Sequence, residues 1–123
     1  MPYNTELLEG RRLFLADSAF TDLIALQWLA QSFDCFVAAT AENLAEAERK
    51  ARDVPMDAAI LDTSLSGVPT HPVADLLRAR DVPIVFTTSA SEPTPHWINE
   101  PILRKPFRRS ELATALTRAM GAA

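Results

Sequence analysis

Two aspartates, a threonine and a lysine stand at the ends of four separate apolar runs, and together they could handle a phosphoryl group. Leu13-Phe14-Leu15-Ala16 ends at Asp17, and Ala58-Ala59-Ile60-Leu61 ends at Asp62. Ile84-Val85-Phe86-Thr87 ends at Thr88, and Ile102-Leu103 leads into Arg104 and Lys105. Two carboxylates held close together repel and resist double ionisation unless a cation joins them. Oxygen ligands at a site open to water suit Mg²⁺, which keeps several waters and takes one or two carboxylates. A lysine brings a second positive charge and a threonine a hydroxyl, the parts that neutralise the oxygens of a phosphoryl group in transfer. One aspartate then serves as nucleophile and forms an acyl phosphate. Each residue alone has a plainer reading: an Asp past a strand is a turn or cap residue, Thr88 a strand residue, Lys105 a surface lysine. Their joint order, acid, acid, hydroxyl, Lys-Pro, each at a strand end, favours the chemistry.

The elements that must position these residues read as strands alternating with helices. After the first run, Ser18 is placed to cap a helix that carries Phe20, Leu23, Ile24, Trp28 and Leu29, with Trp28 in its buried stripe. Cys35-Phe36-Val37-Ala38-Ala39 repeats the pattern, with Thr40 capping an amphipathic helix through Leu44, Ala47 and Ala51. The run ending at Asp62 is followed by a loop over 63–70, then a helix with Val73, Leu76 and Leu77 on one face. Pro83 introduces the β-branched fourth run, and Ser110 caps a last helix through Leu112, Leu116 and Met120 that stops at Gly121. Such an alternation implies a parallel sheet with helices on both faces, whose ligands bind outside the carboxyl ends of the strands. Between Thr88 and Lys105 the prolines at 93, 95 and 101 leave no room for a full helix, so the fourth helix is expected to be vestigial or missing. Trp97 and Ile98 in that interval are expected to plug the core surface it leaves.

Composition narrows the classes. A chain of 123 residues that is 48% hydrophobic and 23% charged can bury one core, which excludes disorder and a second domain. No apolar run reaches the length of a membrane span, and residues 1–10 lack the features of a signal peptide, so the expectation is a cytoplasmic protein with no membrane partner. Cys35 is the single cysteine, which excludes an internal disulfide and a cysteine-rich zinc site and reads as a buried small hydrophobe. The net charge is −4, and the basic residues of 102–123 form no stripe, so no nucleic-acid partner is expected. His71 and His96 have no acid or cysteine at metal-ligand spacing and read as surface or capping residues. The absence of a Gly-rich phosphate loop argues against a nucleotide-binding protein. Ser64, where phosphatases of the haloacid dehalogenase type carry a second Asp, argues against that class.

From Arg11 to Met120 the chain resembles the receiver domain of two-component response regulators. Leu13-Phe14-Leu15-Ala16-Asp17-Ser18 is similar to the first strand with its acidic cluster, and Ala58-Ala59-Ile60-Leu61-Asp62 to the phosphoacceptor strand. Pro83-Ile84-Val85-Phe86-Thr87-Thr88 is similar to the fourth strand with its switch hydroxyl, and Lys105-Pro106-Phe107 matches the family's Lys-Pro-Phe. Pro72-Val73-Ala74-Asp75-Leu76-Leu77 and the shortened fourth helix are similar to stand-alone receivers of the alphaproteobacterial type.

The resemblance implies an α/β fold, a flavodoxin-like doubly wound five-stranded parallel sheet in the order 2-1-3-4-5. It implies a receiver domain over 11–121 with an N-terminal extension over 1–10. Asp62 would take a phosphoryl group from a phosphohistidine, Thr88 would hydrogen-bond it and Lys105 would pair with it. Asp17, Asp62 and the backbone carbonyl of Ser64 would hold Mg²⁺, and the Lys105-Pro106 bond would be cis. Catalysis would be at most self-catalysed phosphotransfer and autodephosphorylation. The implied partners are a histidine kinase or phosphotransfer protein and an unidentified downstream protein, with output by protein–protein interaction. Three features depart from the pattern: Ala16 replaces one acid, Ile102 the usual aromatic, and Ser89-Ala90 the rest of the subgroup's turn after Thr88. They keep a second reading open, a degenerate pseudo-receiver that binds a protein constitutively.

Overall fold

The computed structural model describes residues 5–89 and 91–121. The opening residues of the 1–10 extension and Ala90 of the Ser89-Ala90 turn lie outside the described residues. The apolar runs form β1 (Arg12–Ala16), β2 (Phe36–Ala41), β3 (Ala58–Asp62), β6 (Ile84–Thr88) and β7 (Ile102–Arg104). They pair in parallel in the order β2-β1-β3-β6-β7. Two short strands intervene, β4 (Ser64–Leu65) and β5 (Val68–Pro69), which form a separate antiparallel ribbon. Without that ribbon the main sheet has the expected order 2-1-3-4-5. Its central strands are buried on both faces, as an all-parallel sheet requires.

Strand alternation divides the core into two layers. Leu13, Leu15, Ala58, Ile60 and Val85 face α1 (Phe20–Ser32) and α4 (Arg109–Gly121). Phe14, Ala16, Ala59, Leu61, Ile84 and Phe86 face α2 (Leu44–Asp53) and α3 (His71–Ala79). Leu8 is fully buried in the first layer, so its side chain joins that core. Cys35 is buried there too, its thiol donating to the Leu8 carbonyl at 3.1 Å. Burial pushes that thiol up to about 11, which keeps it protonated.

Several local expectations are corrected. Trp28 is 72% exposed and Phe20 65% exposed, so neither belongs to the buried stripe of α1. That stripe is Leu23, Leu26 and Ala30, while Phe20, Ile24 and Trp28 follow one another at i, i+4 on an outer face. The helix is apolar on nearly every side, so spacing alone does not set which stripe turns inward. Ser18 does not cap α1; Ala19 occupies that position without a side-chain bond. Thr40 lies in β2, which runs on to Ala41, and Asn43 caps α2 by accepting from the Glu46 amide at 2.9 Å. Ser110 falls inside α4, one residue after its start.

Among the described residues no helix lies between β6 and β7. Trp97 and Ile98 cover the second layer instead, with the Trp97 ring edge-on to Phe86 at 5.5 Å and to His71 at 5.8 Å. Both histidines are exposed. The covering segment is pinned by Arg78, which donates to both Glu100 oxygens at 2.8 Å and to the Trp97 carbonyl at 2.8 Å. Bonding to that guanidinium holds the Glu100 carboxyl below its ordinary value, against burial that would raise it. Glu100→Gln is therefore expected to cost about 1 kcal/mol of stability at neutral pH. A depressed carboxyl contributes stability that is present above the unfolded value of about 4.3 and lost as pH falls through the folded one. Urea unfolding of both proteins should show the difference shrinking below about pH 4. No helix among the described residues is long and apolar enough to cross a membrane.

Candidate functional site

The alternation that sorts the core also aims the polar strand ends. Leu13 and Leu15 point into the α1–α4 layer, and continuing that phase sends Asp17 to the same side at the carboxyl edge of the sheet. Ala58 and Ile60 do the same for Asp62, and Leu103 for Lys105. The side chains meet there: Lys105 Nζ donates to Asp62 Oδ2 at 2.7 Å and to Asp17 Oδ2 at 2.8 Å. The Lys105-Pro106 bond is cis. An open cleft of about 640 Å³ surrounds the cluster, bounded by α1, the β4–β5 ribbon and Phe107.

Each carboxylate is held in place by the backbone around it. The Asp17 side chain is 1% exposed, and its Oδ1 accepts from the Ala19 amide at 2.8 Å, which ties it to the start of α1. Asp62 Oδ1 accepts from the Ser64 amide at 3.2 Å. The Asp62 carbonyl accepts from the buried Thr70 hydroxyl at 2.6 Å, an anchor at the N-terminal end of α3. Ser64 opens the β4–β5 ribbon, whose turn is Ser66-Gly67 with φ of 51° and 82°. Positive φ at both central positions is what a tight hairpin turn demands, and Gly67 adopts it at no steric cost. The Ser66 amide donates to Ser18 Oγ at 3.1 Å, fastening the ribbon to the entry of α1.

The electrostatics are those of one cation among crowded acids. Burial pushes the Asp62 carboxyl up, Lys105 and the Ser64 amide pull it down, and Asp17 raises it again; the net direction is up. Burial acts to lower the Lys105 ammonium, but its hydrogen bonds to Asp17, Asp62 and Asp22 outweigh that and hold it charged.

Of the residues singled out by sequence, Asp17, Asp62, Ser64 and Lys105 line one cleft. Thr88 does not; it turns to the other face of β6, where Thr63 Oγ1 donates to its hydroxyl at 3.2 Å. Two residues were missed. Asp22 reaches Lys105 Nζ at 3.0 Å from the first turn of α1, where an acid five positions past Asp17 was the only signal. Thr87 lines the cleft in place of Thr88, and the phase of Val85 and Thr87 along β6 was its signal.

The donor set suits a hard cation. Among the described residues no group of three or more His, Cys, Asp or Glu side chains is arranged to hold a metal ion. Mg²⁺ needs no such cage, because one or two carboxylates, a carbonyl and waters suffice. The oxygens of Asp17 and Asp62 that converge on the ammonium meet that requirement.

No protein-family model matches the chain, and no curated protein matches it. Solved structures do. The chain is similar to SdrG from Sphingomonas melonis Fr1, with 32% identity over 89% of this chain and 95% of that one and a TM-score of 0.76. It is similar to a response regulator receiver protein from Sinorhizobium medicae WSM419, with 25% identity over 94% of this chain and 98% of that one and a TM-score of 0.76. The receiver domain of the sensor histidine kinase PA1611 from Pseudomonas aeruginosa PAO1, solved with magnesium coordinated in its active site cleft, shares the fold. Its identity is 24% over 91% of this chain and 98% of that one, with a TM-score of 0.77. With its sheet order, its cluster of acids around a lysine and these likenesses over nearly its whole length, the chain belongs to the response-regulator receiver family.

Proposed function

We propose that the protein accepts a phosphoryl group on Asp62 from the phosphohistidine of a histidine kinase or phosphotransfer protein, and signals through protein–protein contact. The observation that carries this reading is Lys105 Nζ within hydrogen-bond distance of both Asp17 and Asp62 at the carboxyl edge of the sheet. An Asp62 oxygen attacks phosphorus, the bond to the histidine nitrogen breaks with its electron pair, and the departing imidazole takes up a proton. Asp62 suits the task because burial strips its water and the Ser64 amide and Thr70 hydroxyl hold it still. Lys105 moves from the carboxylates toward the incoming phosphoryl oxygens and offsets their charge. Mg²⁺, held by Asp17, Asp62 and the Ser64 carbonyl, would supply further charge neutralisation; the magnesium in the PA1611 receiver supports that assignment. We take 11–121 as the receiver unit and 1–10 as an extension.

Thr88 is assigned to the switch. Its hydroxyl is engaged with Thr63, so reaching a phosphoryl oxygen requires it to leave that bond. The exchange gives two packings of the face formed by β6, β7 and the Trp97 segment, which phosphorylation would bias. Ala16 favours a second reading: it faces the α2–α3 layer and leaves the first strand with one acid, consistent with a constitutive binding module. Intact mass spectrometry after incubation with acetyl phosphate separates the two. The phosphoacceptor reading expects one PO₃ unit gained with Mg²⁺ and none with chelator; no gain in either condition contradicts it and leaves the binding module.

A further inference from the structure

An ammonium has three hydrogens, and Lys105 directs all of them at carboxylates: Asp62 Oδ2 at 2.7 Å, Asp17 Oδ2 at 2.8 Å and Asp22 Oδ2 at 3.0 Å. The three acids are not equivalent. Asp17 and Asp62 stand at strand ends, are nearly buried, and are the ligands proposed above for Mg²⁺. Asp22 comes from the first turn of α1, and its side chain is 45% exposed. The plain reading of an acid there is that it stabilises the amino end of the helix. That reading does not require the carboxylate to reach a lysine 83 residues away. The cleft the three acids share is also open to a polar ligand on separate grounds. Thr87 is fully buried and lines it, and among the described residues its Oγ1 is the one buried side-chain polar atom without a hydrogen-bond partner.

We infer that Asp22 is the holding partner of Lys105, a positioning residue that keeps the ammonium at the cleft when a divalent ion occupies Asp17 and Asp62. The inference rests on those two carboxylates as the Mg²⁺ ligands of the proposed function. In the free protein the ammonium bridges them, and two buried anions this close need a cation between them. With their oxygens given to the ion, Lys105 keeps one carboxylate, Asp22. An ammonium without that partner would return to water beside a dication, and the loss would be subtracted from metal affinity. Asp22 limits the loss in two ways: its half-exposed side chain can follow the ammonium, and its charge offsets the repulsion between the two cations. The ammonium then remains beside Asp62 for the phosphoryl oxygens. Ala16 leaves the end of β1 with one acid, and Asp22 brings the carboxylates around the lysine to three from a different element.

The test is Mg²⁺ titration of the full chain, followed by amide NMR shifts, in about 0.5 M KCl, where the field of a charge several ångströms away is largely screened. Asp22→Asn should bind the ion about fivefold more weakly than wild type, the loss of a half-exposed ion pair in the metal-bound state. Asp22→Glu, which keeps the carboxylate, should bind within about twofold of wild type. In a Lys105→Met background, replacing Asp22 by Asn should change the affinity by less than about twofold, because there is no ammonium to hold. An Asp22→Asn protein that melts lower but binds Mg²⁺ as wild type does would leave Asp22 a helix-end residue only. An equal loss with and without Lys105 would mean that it acts on the ion by charge alone; either result overturns the inference. Should the Lys105→Met chain lose its circular dichroism, the Asn and Glu variants decide between them: rescue by Glu supports the holding role, and equal losses overturn it. Asp17→Asn separates this inference from the reading beneath it. If that variant binds Mg²⁺ as tightly as wild type, the metal assignment fails and the role of Asp22 with it; if it loses the ion while Asp22→Asn does not, the role of Asp22 alone fails.

Discussion

Asp62→Asn is expected to take up label from acetyl phosphate and Mg²⁺ at least about a thousandfold more slowly than wild type, because an amide cannot act as the nucleophile. The same substitution should leave the fold intact. Asn keeps the volume and an oxygen to accept from the Ser64 amide, and Lys105 retains Asp17 and Asp22. It also removes a charge that burial disfavours. The pH dependence follows from the direction of the Asp62 shift. A carboxyl that titrates above its unfolded value of about 3.9 makes the folded state bind the extra proton in that window. The stability of wild type relative to Asp62→Asn should therefore fall as pH rises through the folded value. A loss of uptake accompanied by unfolding in circular dichroism would show that Asn had removed structure and not only chemistry.

Lys105→Met should have the largest effect on stability. The ammonium is the shared partner of three carboxylates, of which Asp17 is 1% exposed and Asp62 12%. Removing it leaves two buried anions facing each other. Breaking a fully buried pair costs about 3 to 5 kcal/mol; with Lys105 itself 24% exposed, about 2 to 3 is expected at neutral pH. The Lys105 ammonium is held above its unfolded value of about 10.4, so its contribution is present below that pH for as long as its carboxylate partners stay ionised, and is lost as pH rises through the folded value. Denaturant titrations should show the gap between the two proteins at pH 7 and its narrowing in acid as the carboxyls protonate. Adding Mg²⁺ should restore part of it, since the ion and the ammonium serve the same oxygens. Equal stability of the two proteins at pH 7 would contradict the electrostatic account of the site.

The parts legible in the sequence were those set by short-range pattern. The apolar runs ending at Asp17 and Asp62 and the Lys-Pro-Phe segment identified three strand ends, and parallel topology brought them together. Pro93, Pro95 and Pro101 announced the lost helix. What replaces it was not legible, because the pairing of Arg78 with Glu100 spans 22 residues. Trp28 was misplaced because α1 offers two apolar stripes and only packing selects one. Thr87 and Thr88 could not be separated by composition, since both are threonines at a strand end; the phase that Thr87 shares with Val85, fixed by the register of β6 on β3, sets which one shares a face with Asp62. Asp22 required the helix phase relative to the sheet. The β4–β5 ribbon has two residues a side, too few for any alternation to register.

The central claim is that the carboxylate of Asp62, and no other, carries the phosphoryl group. Borohydride reduction of the protein after acetyl phosphate and Mg²⁺, followed by peptide mass spectrometry, tests it at the bond itself, since reduction cleaves an acyl phosphate to leave an alcohol on the acylated side chain. The account predicts homoserine at position 62 alone. Homoserine at position 17 or 22, or an aspartate at 62 that survives reduction in protein known to carry label, would contradict it.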